Sequence, residues 1–182
     1  MRKFVLTGGV CAGKSETLLA LGREGFHKVE EAARVIIKDQ LSQGGDVLPW
    51  VLHNHDEFQK RVAILQVELE KKRGGDAFLD RSFVDGLAFY RALGQTPSQD
   101  VLDAVNNVRY DKVFYLEMLP EYHLDEGRRM NIQHARLVHQ LIKEVYEEHG
   151  YELIYVPFMS IKDRVDFIKK HIETTAEVKN EF

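Results

Sequence analysis

The sequence is poor in several features that define whole classes of protein. It has one cysteine in 182 residues, which excludes an internal disulfide framework. No apolar run approaches the ~18 residues that a membrane-spanning helix needs. The first residues also lack the basic, apolar and small-residue sections of a signal peptide. These absences predict a cytoplasmic protein that does not enter a membrane.

Positive charge is not in excess. The chain has 25 Lys and Arg residues against 29 Asp and Glu, a formal net charge of −4 with a pI near 6.1. Proteins that follow a nucleic-acid backbone need a basic surface, so we expect no nucleic-acid partner. With 44% hydrophobic residues, the length fits one compact domain. We place this domain at residues 1–173, followed by a loosely ordered tail at 174–182.

The most specific motif begins directly after the apolar run Phe4–Leu6. A glycine, four variable residues and then Gly-Lys-Ser allow backbone N–H groups to surround a phosphate. The lysine reaches the terminal phosphates, the serine oxygen binds Mg²⁺, and the following helix contributes its positive dipole. We therefore predict an ATP-binding P-loop made of Gly8, Gly9, Val10, Cys11, Ala12, Gly13, Lys14, Ser15 and Glu16.

A glycine-rich turn that only joins a strand to a helix is the alternative interpretation of this motif. Such a turn does not need a lysine and a hydroxyl at its exit. Cys11 occupies a variable position of the loop, and we interpret it as a small filler residue, not a nucleophile.

Short apolar runs alternate with longer amphipathic segments along the chain. This alternation predicts an α/β domain in which a parallel sheet is covered by helices on both faces. A helical stripe of apolar residues runs from Phe58 to Lys72. The candidate strands are Phe4–Leu6, Phe26–Glu30, Ala77–Leu79, Val113–Leu116 and Leu153–Val156.

Polar residues at the carboxyl ends of these strands are the main functional candidates, because ligands of such sheets gather there. Asp80 follows the third strand and can hold Mg²⁺, while Arg81 can neutralise a phosphate or fix a substrate group. The alternatives are a helix N-cap for Asp80 and a surface charge for Arg81.

These motifs, in this order, resemble those of the small P-loop kinases, which include nucleoside, nicotinamide riboside and thymidylate kinases. The similarity is greatest to the subgroup described as AAA-domain ATP-binding proteins, and it spans nearly the whole chain. It is carried by Gly8–Ser15, Glu31–Arg34, Asp80-Arg81 with Asp85, and Val156-Pro157.

The resemblance implies a three-layer P-loop NTPase fold with strand order 2-3-1-4-5 and a lid over the phosphates. It also implies transfer of the γ-phosphoryl group of ATP to a small hydroxyl-bearing acceptor such as a nucleoside. Glu31 matches the position of the base that takes the acceptor proton, with Glu30 as the second choice. A glutamate at a helix start is also favoured by the helix dipole alone. The acceptor-binding candidates are Arg34, Gln66, Arg81 and Asp85.

The lid implied by the resemblance lies at residues 119–134, between the fourth strand and a long amphipathic helix. Its first candidates for stabilising the transferred phosphoryl group are Arg128 and Arg129, with Arg136 third. An exposed loop whose arginines pair with neighbouring acidic residues is the alternative. His53 and His55, next to Asp56, are interpreted as solvated loop residues because no further ligands have metal-site spacing.

Two functional classes fit these observations. The first is an ATP-dependent kinase with bound Mg²⁺, in which Lys14, Glu31, Asp80, Arg128 and Arg129 are catalytic and Ser15 and Asp80 hold the metal. The second is a P-loop ATPase that switches its shape on hydrolysis without a small acceptor. The acceptor itself, the choice of ATP over GTP and the oligomeric state are left open by the sequence.

Overall fold

A computed structural model describes residues 1–44, 54–71, 74–118 and 132–177 of the chain. Five strands alternate with seven helices in these ranges. The strands are β1 (Lys3–Thr7), β2 (His27–Val29), β3 (Ala77–Asp80), β4 (Lys112–Leu116) and β5 (Leu153–Val156). The helices are α1 (Lys14–Arg23), α2 (Ala32–Ser42), α3 (His55–Lys71), α4 (Phe83–Ala92), α5 (Gln99–Asn106), α6 (Ile132–Glu148) and α7 (Ile161–Glu177).

The five strands form one parallel sheet in the order β2-β3-β1-β4-β5. Strand β1 is central, and its register pairs Leu6 with Asp80 on β3 and Thr7 with Tyr115 on β4. The carboxyl ends of the three central strands therefore meet at one edge. The predicted fold class and strand order are both confirmed.

Alternate residues of the strands pack into two separate cores, because successive side chains of a strand point to opposite faces. Phe4 and Phe78 pack with helices α1 and α7 on one face. Val5 and Leu79 pack with α4, α5 and α6 on the other. Strands buried on both faces are apolar throughout, which is the pattern that their sequences show. The result is three layers.

Two helices extend past the segments that the sequence marks. Helix α3 begins at His55, three residues before Phe58, the first apolar residue of the stripe, and α7 continues through Glu177. The domain boundary at 173 and the loosely ordered tail at 174–182 stay predictions. Within the described ranges, no helix is long and apolar enough to cross a membrane.

Candidate active site

The P-loop joins the end of β1 to the start of α1. Gly8 and Gly13 have positive φ angles of 128° and 73°, and Cys11 shares this backbone region at 56°. A Cβ atom at Gly8 would lie 2.4 Å from the carbonyl oxygen of Leu116. Glycine is therefore required at position 8 by both backbone conformation and close contact with β4.

The Lys14 ammonium lies inside this loop and is 6% exposed. It donates hydrogen bonds to the carbonyl oxygens of Gly8, at 3.2 Å, and Gly9, at 2.7 Å. Burial lowers the pKa of Lys14 to about 8, and the positive charge of Arg81 lowers it further, against the opposing charges of nearby carboxylates. A buried cation whose hydrogen bonds, among the described residues, go to neutral carbonyls is prepared to bind a polyanion.

Ser15 and Asp80 bring two oxygen atoms together beside the loop. The Ser15 hydroxyl donates to Oδ2 of Asp80 at 2.7 Å, and Asp80 is 3% exposed. Its Oδ1 atom has no hydrogen-bond partner among the described residues. Burial raises the pKa of Asp80, while the Lys14 charge lowers it. A hydroxyl beside a carboxylate with one unused oxygen fits the oxygen ligands that Mg²⁺ prefers.

Arg81 connects the P-loop to the second strand. It is buried and has a φ of 71°, so the chain turns sharply at the end of β3. Its guanidinium donates to the Gly8 carbonyl at 3.0 Å, to Asp85 at 3.0 Å and to Glu31 at 3.2 Å. Burial opposes the charge of Arg81, but the carboxylates of Glu31 and Asp85 raise its pKa above the ordinary value. The predicted placement of Arg81 at the P-loop is therefore observed.

Asp85 lies beneath this centre and is 1% exposed. Its carboxylate accepts four hydrogen bonds from Thr7, Arg81, Ser82 and Tyr146. Together with Ser82 it forms a capping box at the start of α4. These contacts occupy the carboxylate and fix the position of Arg81. The substrate-binding role predicted for Asp85 stays a prediction, and the contacts favour a supporting role.

Glu31 stands at the N-cap of α2, where two hollows meet. Its Oε1 atom accepts the bond from Arg81, and its Oε2 atom lies 3.7 Å from Nε of Arg34. One hollow, of about 260 Å³, extends from Glu31 between α3, α4 and α5. The other, of about 290 Å³, includes Ser15, Asp80, Glu31 and Arg34. Glu31 therefore borders both the hollow on the phosphate side and the apolar 260 Å³ hollow.

The 260 Å³ hollow is the candidate acceptor cavity. Phe58, Val62 and Phe83 contribute apolar walls, and Gln66 lies on the wall that α3 forms. The Gln66 amide donates to Glu70 at 3.0 Å. Gln66 is thus placed at the cavity, as the sequence predicts, and its amide is already held by a neighbouring side chain.

The interpretation of His55 as a solvated loop residue is wrong. His55 is 4% exposed at the start of α3, lines the cavity and packs edge-on against Tyr90. Its Nε2 atom lies 3.3 Å from Nε2 of Gln59. The aromatic contact and the apolar surroundings draw the imidazole inward. No cluster of three metal-ligating side chains exists among the described residues.

Sequence reasoning missed two residues that contact the P-loop from helices. His139 on α6 accepts a hydrogen bond from the Gly9 N–H at 2.8 Å, and its ring packs on Tyr115. Burial lowers the pKa of His139 to about 4, aided by the charges of Lys14 and Arg81. Arg164 on α7 donates to the Ala12 carbonyl at 3.0 Å. The two contacts join residues 130 and 152 positions apart, so no local motif marks them.

The lid prediction falls largely outside the described ranges. Arg128 and Arg129 lie within 119–131 and are not described, so their predicted catalytic role stays a prediction. Arg136 is an exposed residue of α6. His134, near the end of the predicted lid, lines the acceptor cavity. The last residue of the predicted lid therefore borders the cavity at the start of α6.

Comparisons with known proteins place this geometry in a family. The model of a family described as an AAA domain matches residues 3–164, so the chain belongs to that AAA-domain family. No curated protein matches the chain.

Solved structures show the same fold. A deoxyadenosine kinase from M. mycoides with bound dCTP has a TM-score of 0.66 at 17% identity, covering 94% of this chain and 99% of the other. A thymidylate kinase from Candida albicans gives 0.66 at 14% identity, covering 96% and 92%. The NadR protein in complex with NAD and AMP-PNP gives 0.67 at 13% identity, covering 93% and 49%. The chain therefore has the P-loop kinase fold.

Proposed function

We propose that this protein is an ATP-dependent phosphotransferase that moves the γ-phosphoryl group of ATP to a small hydroxyl-bearing acceptor, such as a nucleoside. The observation that supports this proposal is the position of Glu31. Its carboxylate is bonded to Arg81, which also contacts the P-loop carbonyl of Gly8, and it borders the acceptor cavity. A phosphate-binding loop and an apolar cavity thus meet at one carboxylate.

Phosphoryl transfer needs this arrangement more than it needs covalent chemistry. The protein must align an acceptor oxygen with the γ-phosphorus and surround the transferred group with positive charge. The proposal assigns Lys14 to the β- and γ-phosphates. Ser15 and Asp80 would hold Mg²⁺, which neutralises charge on the phosphate oxygens when bound.

Glu31 takes the role of general base in this proposal. A hydroxyl group is a weak nucleophile, and a carboxylate within hydrogen-bond reach accepts its proton as the bond to phosphorus forms. Arg81 holds the Glu31 carboxylate in place through the hydrogen bond from its Nε atom. Arg34, 3.7 Å from Glu31, is a second group that an acceptor in this region could meet. The catalytic role of Arg128 and Arg129 is part of the same proposal.

A screen of ATP consumption tests the proposal directly. The purified protein is incubated with ATP and Mg²⁺ and with nucleosides, nicotinamide riboside, nucleoside monophosphates or water alone. We expect ADP release that depends on one class of hydroxyl-bearing acceptor, with a phosphorylated product identified by mass spectrometry. ADP release of the same rate in every arm, water included, would instead support a hydrolysis-driven switch.

A further inference from the structure

Arg164 is a fully buried charged side chain beside the P-loop. It lies in the first turn of α7 and is 1% exposed. None of the ion pairs among the described residues includes it, and its Nε atom has no hydrogen-bond partner there. Arginine is almost never fully buried without a carboxylate partner. The burial of Arg164 without a carboxylate partner among the described residues therefore needs a structural explanation.

Among the described residues, Arg164 donates hydrogen bonds to two carbonyl oxygens of the P-loop and to a hydroxyl at the start of α1. Its Nη1 atom lies 3.0 Å from the carbonyl oxygen of Ala12, 3.2 Å from the Thr17 hydroxyl and 3.4 Å from the Gly13 carbonyl oxygen. A Cβ atom at Gly13 would lie 2.5 Å from the same nitrogen. The absence of a side chain at Gly13 therefore admits the guanidinium as well as permitting the positive φ.

The contacted carbonyls belong to the peptides that carry the N–H groups of Gly13 and Lys14. A trans peptide is planar, so its N–H and C=O bonds point in opposite directions. The described chain has no cis peptide bond. A cation that holds the two carbonyls on the outside directs the two N–H groups toward the inside of the loop. Hydrogen bonds to a carbonyl also polarise the peptide and strengthen its N–H as a donor.

The position of Arg164 is unfavourable for a cation, both in its helix and in its buried surroundings. A cation in the first turn of a helix opposes the helix dipole. Burial lowers the pKa of Arg164, and the charge of Glu16 opposes this effect. Sequences that violate local preferences without a structural gain do so most often at functional sites. The contact with Ala12 and Gly13 therefore points to a role in the loop itself.

We propose that Arg164 is a positioning residue for phosphate binding, which orients and polarises the Ala12–Gly13 and Gly13–Lys14 peptides from the outer side of the P-loop. This inference rests on the proposed binding of ATP phosphates and adds a residue that does not touch the ligand. Helix α7 thereby becomes part of the phosphate site, although its sequence contains no phosphate-binding motif.

Titration calorimetry with inorganic tripolyphosphate and Mg²⁺ tests the inference without involving a base or an acceptor. Arg164→Met removes the charge and the hydrogen bonds at similar volume, and we expect it to weaken tripolyphosphate binding about tenfold or more. Arg164→Lys restores a positive charge beside the carbonyls, and we expect it to recover most of the affinity. Arg164→Gln is a second neutral variant that repeats the test if Arg164→Met does not fold.

Lys169→Met is the matched control. Lys169 is on the same helix, is partly exposed and pairs with Glu24 at 2.6 Å, away from the P-loop. Its replacement removes one positive charge from α7, and we expect unchanged tripolyphosphate affinity. Thermal denaturation is measured in parallel. Because Arg164 has no carboxylate partner in the part of the chain that the structure describes, Arg164→Met should be at least as heat-stable as the original protein.

The outcomes separate two failures. If the unmodified protein does not bind tripolyphosphate, the proposed function fails. If it binds and Arg164→Met binds equally well, only the role of Arg164 is overturned. If Arg164→Met loses heat stability but keeps its tripolyphosphate affinity, Arg164 is a structural residue. If Arg164→Met and Arg164→Lys lose tripolyphosphate affinity equally, the charge of Arg164 has no role in binding.

Discussion

The P-loop and the acceptor cavity lie on either side of Glu31 and are formed by different kinds of chemical group. The P-loop is held by backbone carbonyls and by the polar side chains of Lys14, Arg81, His139 and Arg164. The cavity has mostly apolar walls with a few amide and imidazole groups. The P-loop can bind any nucleoside triphosphate, because all of them carry the same three phosphates. The acceptor cavity selects its ligand by shape, and its lining residues decide which molecule is phosphorylated.

The largest effect expected from this division is at Lys14. Lys14→Ala should reduce turnover by about 10³-fold, because it removes the cation that meets the phosphates in a buried site. It should also abolish the rise in melting temperature that ATP causes. Without ATP, the variant should be as stable as the original protein, because a buried charge with a lowered pKa is removed. Turnover and differential scanning fluorimetry measure these effects.

Lys162→Ala is the control for Lys14, since Lys162 is exposed and pairs with Asp166 at 2.7 Å. Stabilisation by ATP should be unchanged in this variant. Undiminished stabilisation of Lys14→Ala would remove the P-loop from the proposed site.

Glu31→Gln tests the group that joins the two hollows. We expect turnover to fall by about 10²-fold or more because an amide cannot accept the acceptor proton. ATP affinity should be preserved, since the amide oxygen can still accept the bond from Arg81. The control is Glu30→Gln, at an exposed neighbouring carboxylate. If Glu30→Gln loses turnover and Glu31→Gln does not, the base is assigned to the wrong carboxylate.

A substitution at Gly86 is expected to change the acceptor cavity without changing the P-loop. It lies on α4 at the cavity wall, where a Cβ atom would be 2.9 Å from Oε1 of Gln59. Gly86→Val should therefore narrow the cavity and raise the KM for the acceptor by roughly tenfold, the order of effect of one to two methylene groups in a pocket. The KM for ATP should not change. A parallel rise in both constants would show that the two hollows are not independent.

The smallest expected effect concerns His139 and pH. The pKa of His139 is about 4 in the folded protein, against an ordinary value near 6.5. Between these values the unfolded chain binds more protons, so the free energy of unfolding decreases as pH falls from about 6.5 to 4. Glutamine keeps an acceptor for the Gly9 N–H but does not titrate. Urea denaturation of His139→Gln should therefore show a weaker loss of stability with acid; an unchanged slope would contradict this assignment.

The same division explains how much could be predicted from the sequence. The P-loop, Asp80 and Arg81 follow buried strands directly, so short motifs and a parallel sheet suffice to bring them together. The contacts of His139 and Arg164 depend on how α6 and α7 pack, which no contiguous pattern encodes. His55 was misjudged because its polar neighbours in sequence suggest solvent, whereas its partner Tyr90 comes from another helix.

The position of Glu31 has a practical consequence for inhibition. The 290 Å³ hollow that borders Glu31 also has Lys28, Arg34 and Lys38 in its lining, whereas the acceptor cavity is apolar. Two chemically different compounds can thus approach the Glu31 carboxylate, an anionic compound through the 290 Å³ hollow and an apolar compound through the acceptor cavity. A medicinal chemist could join fragments from both sides into a single molecule that spans this residue.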